Sequence, residues 1–265
     1  MSVTPAVFAE LEPVTSRFYL HALAVLSEAK VPFLLGGAYA LSHYTGIARH
    51  TKDLDLFVRP DDAPRALNAL AHAGYRTELT FSHWLGKAFS GDDFVDVIFS
   101  SGNGLCTVDD DWFRHAVAME SAGAALLCPV EEIIWQKAFI MERERFDGAD
   151  VNHLLRACGP VLNWERLLRR FDTHWQLLLV HLMLFGFVYP AEQAKIPSRI
   201  FDLLLERWRK ETQCADAQEK ICRGPLLSRM QYLIDTERWS YQDARLSPCG
   251  EMTPEQITHW TAAGR

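Results

Sequence analysis

The sequence predicts an α+β protein: a mixed sheet with flanking helices, followed by a helical C-terminal domain. Three observations predict it. Short apolar runs with strand character are confined to the first half of the chain. The second half carries apolar residues at helical spacing almost throughout. The change lies near Leu127, which divides the chain into 1–127 and 128–265. The chain has 265 residues, 49% hydrophobic and 23% charged, an ordinary globular composition that excludes disordered, collagenous and disulfide-scaffold classes.

The elements follow in order. Residues 14–30 read as an amphipathic helix, with Phe18, Leu20, Leu23, Val25 and Leu26 near 3.6 spacing. Residues 33–35 form a short apolar strand ended by Gly36-Gly37, and 38–45 a helix starting at that turn. Residues 54–58 form a second strand, closed by Pro60. Residues 61–73 are helical, with Gly74 as C-cap. Runs at 75–80, 84–90 and 94–99 are β-rich, the last two joined by a Gly91-Asp92-Asp93 turn. A small strand is expected at 124–127. Pro129 sits where a proline opens a helix, and 130–145 reads as one long helix. Further helices are expected at 147–157, 164–171, 175–187, 200–209 and 226–239, with a loose polar tail beyond Ser247.

Charge and cysteine usage bound the function. The net charge of −7 gives no general attraction for nucleic acid or membrane surfaces. Six cysteines without C-x-x-C spacing fit a reduced cytoplasmic protein and no zinc knuckle. The first residues, with Glu10 and Glu12 and no basic flank, do not read as a signal peptide. The longest apolar stretch, 177–189, falls short of the ~20 residues that cross a bilayer.

The chemistry concentrates at Thr51-Lys52-Asp53-Leu54-Asp55-Leu56. Side chains alternate along a strand, so Asp53 and Asp55 share one face while Leu54 and Leu56 enter the core. Adjacent carboxylates repel, and a divalent cation relieves the repulsion with hard oxygen ligands. A third acid, Asp96, is flanked by apolar residues in Phe94-Val95-Asp96-Val97-Ile98, where an isolated carboxylate is costly. Solvated acids on an exposed sheet face would give the same pattern.

Taken together, Gly36-Gly37, Arg49-x-Thr51-x-Asp53-x-Asp55 and Asp96 resemble the DNA polymerase β-like nucleotidyltransferase superfamily, most nearly its small bacterial members that modify lincosamides or accompany toxin–antitoxin pairs. The resemblance covers roughly residues 31–157. It implies a nucleotidyltransferase-type sheet and a Mg²⁺-dependent site with two ions when nucleotide is bound. Asp53, Asp55 and Asp96 would be catalytic metal ligands. Gly36, Gly37, Arg49, Thr51 and Lys137 would contact the nucleotide. A nucleoside triphosphate would give its monophosphate to a hydroxyl on a small molecule or protein and release pyrophosphate.

Other readings stand beside several of these residues. Lys137 fits a solvated helix face with Glu–Arg pairs, and Asp147 an N-cap with Asp150 complementing the helix dipole. Lys87 is a weaker phosphate candidate, Lys52 a surface or packing residue, and His43 a group behind the site. Absent P-loop, kinase, G-x-S-x-G and H-E-x-x-H patterns exclude those classes. The rival is a nucleotidyltransferase-fold binding module without catalysis, a nucleotide sensor or toxin-neutralising partner. A homodimer through the tryptophan-containing helical half is left open.

Overall fold

The computed structural model describes residues 11–48, 51, 53–119, 125–213 and 220–264. The chain divides into two units, Met1–Pro129 and Val130–Arg265.

In the first unit, α1 (Pro13–Glu28) starts with proline at N1, where no backbone donor is lost. It buries Phe18, Tyr19, Ala22 and Leu26. The strand β1 (Leu34–Leu35) is fully buried and leads through Gly36 into α2 (Gly37–Thr45). Next comes β2 (Asp53–Phe57), whose Leu54 and Leu56 are inaccessible to solvent as the alternation requires. A 3-10 turn at Pro60–Asp62 precedes α3 (Ala63–His72), which packs on the three-stranded meander that follows. That meander is β3 (Arg76–Phe81), β4 (Leu85–Ser90) and β5 (Asp93–Ile98).

Two elements here are absent from the sequence reading. The helix α4 (Asp110–Arg114) is capped by Asp109, whose carboxylate accepts from the Asp111 and Trp112 amides. Its Trp112 is buried and stacks on Phe57 with ring centroids 5.3 Å apart. The strand β6 (Val117–Ala118) pairs antiparallel with β7 (Leu126–Leu127). The sheet runs β3-β4-β5-β2-β1-β7-β6. Its centre is parallel between β2 and β5, and again between β1 and β7, while β1 and β2 are antiparallel. This is the predicted α+β class: a mixed sheet with helices, then a helical region.

The second unit begins with α5 (Val130–Ala138), which ends seven residues before the expected 145. Non-local partners stop it. The Met141 amide donates to the Leu227 carbonyl at 3.1 Å, and the Glu142 carboxylate accepts from Ser228 Oγ at 2.6 Å and the Arg229 amide at 3.2 Å. Met141 then bridges Phe146, and the chain turns into α6 (Gly148–Cys158). Residues 139–145 therefore offer no helix face for the expected Glu–Arg pairs.

Next come α7 (Trp164–Phe171) and α8 (Trp175–Val188), separated by a 3-10 turn at Asp172–His174. The run Trp164–Val188 is apolar and long enough to match a membrane span by length and composition, longer than the stretch read from sequence. Within the bundle, its Trp175, Leu178, Leu182 and Phe185 are buried. The helix α9 (Ser198–Gln213) packs against α8.

Two further expectations fail. Instead of a helix over 226–239 there are a 3-10 turn (Gly224–Leu226) and the short α10 (Leu233–Glu237), because Ser228 is engaged by Glu142 and the Gln231 amide. The short strands β8 (Ile221–Cys222) and β9 (Gln242–Asp243) flank them. The tail expected to be loose contains α11 (Pro254–Ala262), opened by a Thr253/Gln256 capping box. Its Trp260 ring lies 4.3 Å from the Arg229 guanidinium.

Candidate active site

Parallel pairing of β2 with β5 sets Asp55 directly opposite Asp96, and Asp53 stands two residues back on the same face. One carboxylate oxygen from each of the three aspartates can be chosen so that all lie within 4.8 Å of one another. Asp53 and Asp55 are half-buried and Asp96 is buried. Three hard oxygen donors at this separation suit a divalent cation, which would also relieve their repulsion.

The glycines stand against these acids. The Gly36 amide donates to the Asp55 carbonyl at 3.0 Å, fixing the start of α2 to the middle of β2. A β-carbon on Gly36 would lie 2.2 Å from the Phe57 ring. Gly37 has φ +52°, and its β-carbon would lie 1.7 Å from Asp55 Oδ2. The Asp55 carboxylate thus occupies the space that any side chain at 37 would take.

Thr51 Oγ1 donates to Asp53 Oδ1 and, at 3.3 Å, to the Asp53 carbonyl, so it orients the first acid. On the other side, Lys87 faces Asp96 in the antiparallel β4–β5 register. Its Nζ donates to Asp96 Oδ1 at 2.5 Å and sits 4.0 Å from the centre of the Phe94 ring. Burial holds the Asp96 carboxyl above its ordinary range, and Asp53 adds to that; the hydrogen bond and charge of Lys87 act in the opposite sense.

Two tyrosines also belong to this region, and the sequence reading missed them. Burial raises the Tyr39 phenol well above its ordinary value, with Asp53 and Asp55 adding to it. Tyr19, raised by burial, feels Tyr39, Asp93 and then the same two aspartates. The available signal was the position of Tyr39 in the first turn after Gly36-Gly37. His43 is exposed on α2 with its ring edge-on to Tyr44.

Lys137 lies in the second unit. Its Nζ is 2.8 Å from both Asp147 Oδ2 and Asp150 Oδ2, and its side chain is only 14% exposed, so it is not on a solvated face. Asp147 occupies the N-cap position of α6 but makes no capping bond with its side chain. Its carboxylate is taken instead by Lys137 and by Arg145, whose Nε and Nη2 each donate at 3.0 Å. Burial raises the Asp147 carboxyl, but the Arg145 and Lys137 contacts outweigh it and leave the group below its ordinary value. Arg49 and Lys52 lie outside the described residues.

A family model described as an uncharacterised nucleotidyltransferase matches residues 20–185, more than half of the chain. The chain belongs to that nucleotidyltransferase family. The match spans β1, β2 and β5, and with them all three aspartates of the nucleotidyltransferase. Among solved structures, it is similar to the antibiotic-resistance factor ANT(2″)-Ia at 19% identity, over 64% of this chain and 98% of that one, with a TM-score of 0.44. The lincomycin-bound lincosamide antibiotic adenylyltransferase LnuA gives 16% identity over 54% and 96%, with a TM-score of 0.39. JHP933 from Helicobacter pylori gives 14% over 78% and 100%, with a TM-score of 0.38. No curated protein matches the chain.

Proposed function

We propose that this nucleotidyltransferase is Mg²⁺-dependent and moves a nucleoside monophosphate from a nucleoside triphosphate to an acceptor hydroxyl, releasing pyrophosphate. The observation that carries the reading is the meeting of Asp53, Asp55 and Asp96 within 4.8 Å, beside a glycine that leaves Asp55 its space. Asp53 and Asp55 would hold one ion against the triphosphate, and Asp96 would join them around a second. When bound, the paired ions stabilise charge on the attacking and leaving oxygens.

The chain's own residues do the rest. Asp96 receives the proton of the acceptor hydroxyl as its oxygen attacks the α-phosphorus, and the bond to pyrophosphate breaks in line. Gly36 and Gly37 bring the start of α2 against Phe57 and Asp55, and the first amides of that helix favour an anion beside the acids. Thr51 holds Asp53 in place. The net charge of −7 disfavours a polyanionic acceptor and leaves a small molecule or a protein side chain.

The test is calorimetric binding of each nucleoside triphosphate with and without Mg²⁺, followed by transfer assays on Asp55→Asn. We expect Mg²⁺-dependent binding to the wild type that Asp53→Asn removes, and at least a ~10³-fold loss of transfer in Asp55→Asn with an unchanged melting temperature. Transfer retained in Asp55→Asn would end the metal-ligand reading. Absence of nucleotide binding by the wild type would leave the non-catalytic module that binds a protein partner, and binding without transfer would leave the nucleotide sensor.

A further inference from the structure

Three carboxylates within 4.8 Å carry up to three negative charges, and one cation of the chain already stands among them. Lys87 Nζ is 2.5 Å from Asp96 Oδ1, its side chain is only 20% exposed, and the Phe94 ring lies 4.0 Å away. Cross-strand register holds it there, since Lys87 and Asp96 are opposed on β4 and β5. Among the described residues, with the ammonium counted, the cluster's charge matches one divalent ion. A second such ion would need negative charge from elsewhere and would meet Lys87 at the carboxylate it requires.

We infer that Lys87 is the resident countercation of the acidic site and competes with metal for Asp96, so that the chain alone loads one divalent ion and the second loads only with the phosphates of the nucleotide. This rests on the metal reading proposed above. In it, the first ion belongs to Asp53 and Asp55. Lys87 holds Asp96 in position until nucleotide charge draws in the second ion. Lys87 is then a positioning residue that sets the order of loading, and it need not touch the substrate.

The full chain is titrated with Mn²⁺ in the absence of nucleotide, and free Mn²⁺ is read by electron paramagnetic resonance. The wild type should bind one ion, and Asp53→Asn should abolish that binding. Lys87→Met should bind Mn²⁺ about tenfold more tightly or take a second ion, because an opposing charge in a poorly hydrated site is gone. Lys87→Arg, which keeps the charge, should behave as the wild type. In an Asp96→Asn background the gain from Lys87→Met should shrink to about twofold, because the competition runs through that carboxylate. Lys87→Gln is the second neutral variant should Lys87→Met melt early.

Equal or weaker Mn²⁺ binding by a folded neutral variant overturns the inference, as does a gain that persists undiminished in Asp96→Asn. Should neither the wild type nor the neutral variants bind Mn²⁺, Lys87 is not what limits loading and the inference fails. Wild-type binding that Asp53→Asn removes keeps the metal site intact whatever Lys87 does, so the two failures are distinguishable.

Discussion

A β-carbon at residue 37 would sit 1.7 Å from Asp55 Oδ2, and the backbone there has φ +52°. Both facts point the same way: only glycine lets α2 begin so close to an acid that faces away from the core. Gly37→Ala therefore carries a conformational penalty of about 1–3 kcal/mol for a non-glycine residue in a sparsely populated backbone region. It also displaces the Asp55 carboxylate. We expect a urea midpoint lowered to match and Mn²⁺ binding weakened together with it. A variant that loses stability but binds Mn²⁺ as before would show that Asp55 is not held by this contact. At this scale much was legible. Alternation in Asp53-Leu54-Asp55-Leu56 gave the facing of each side chain, since period two is a property of any strand. The partner of Asp96 was missed although it is local: the two-residue Gly91-Asp92 loop pairs Ser90 with Asp93, and counting back along the hairpin sets Lys87 opposite Asp96.

Elements divide between local and distant causes. Helices whose ends are set by neighbours in sequence were read well: α7 spans Trp164–Phe171 as expected, with the Asn163 side chain accepting from the Arg166 amide. The α11 cap was equally local and was missed, although Thr253-Pro254-Glu255-Gln256 carries both halves of a capping box. The early end of α5 is another matter, since Leu227, Ser228 and Arg229 impose it from about 86 residues away. Apolar residues on both faces of α8, with Met183 and Phe187 exposed, likewise hide from its pattern which face is buried. Beyond α5 the chain returns so that Lys137 meets Asp147 and Asp150. Removing that ammonium leaves two poorly exposed carboxylates without it, and breaking such a pair costs about 3 kcal/mol. We expect Lys137→Met to lower the urea midpoint strongly, and Asp147→Asn to recover part of the loss when added to it. Reduced nucleotide affinity at an unchanged midpoint would instead make Lys137 a phosphate ligand.

Across the whole molecule the titrating groups work in separate pH windows. In the second unit His181 is buried with its ring nitrogen 2.9 Å from the Ala138 carbonyl, and burial holds its pKa below the ordinary 6.5 despite that bond. His174 is depressed too, by burial and then by Arg223. The folded chain resists a proton that the unfolded chain accepts. The stability carried by the neutral rings is therefore whole above pH 6.5 and is lost as pH falls from there through their folded values. Each histidine contributes at most about 1.4 kcal/mol per pH unit within that window. Asp147 acts lower. Its folded pKa lies below 3.8, so its contribution is whole above 3.8 and falls away beneath it. Glu132 opposes both, because burial raises its carboxyl against the pull of Arg166 and Arg170, and the folded state gains a proton first. A wild-type melt alone therefore mixes signs, and the difference between wild type and His181→Gln isolates one ring. Melting both at about pH 7.5 and about pH 5.5 should show the wild type losing more stability on acidification than the variant, which carries no proton at 181 in either state. Parallel loss in the two proteins would mean that His181 takes up its proton equally in the folded and unfolded chains, and that its burial in the bundle does not oppose the charge.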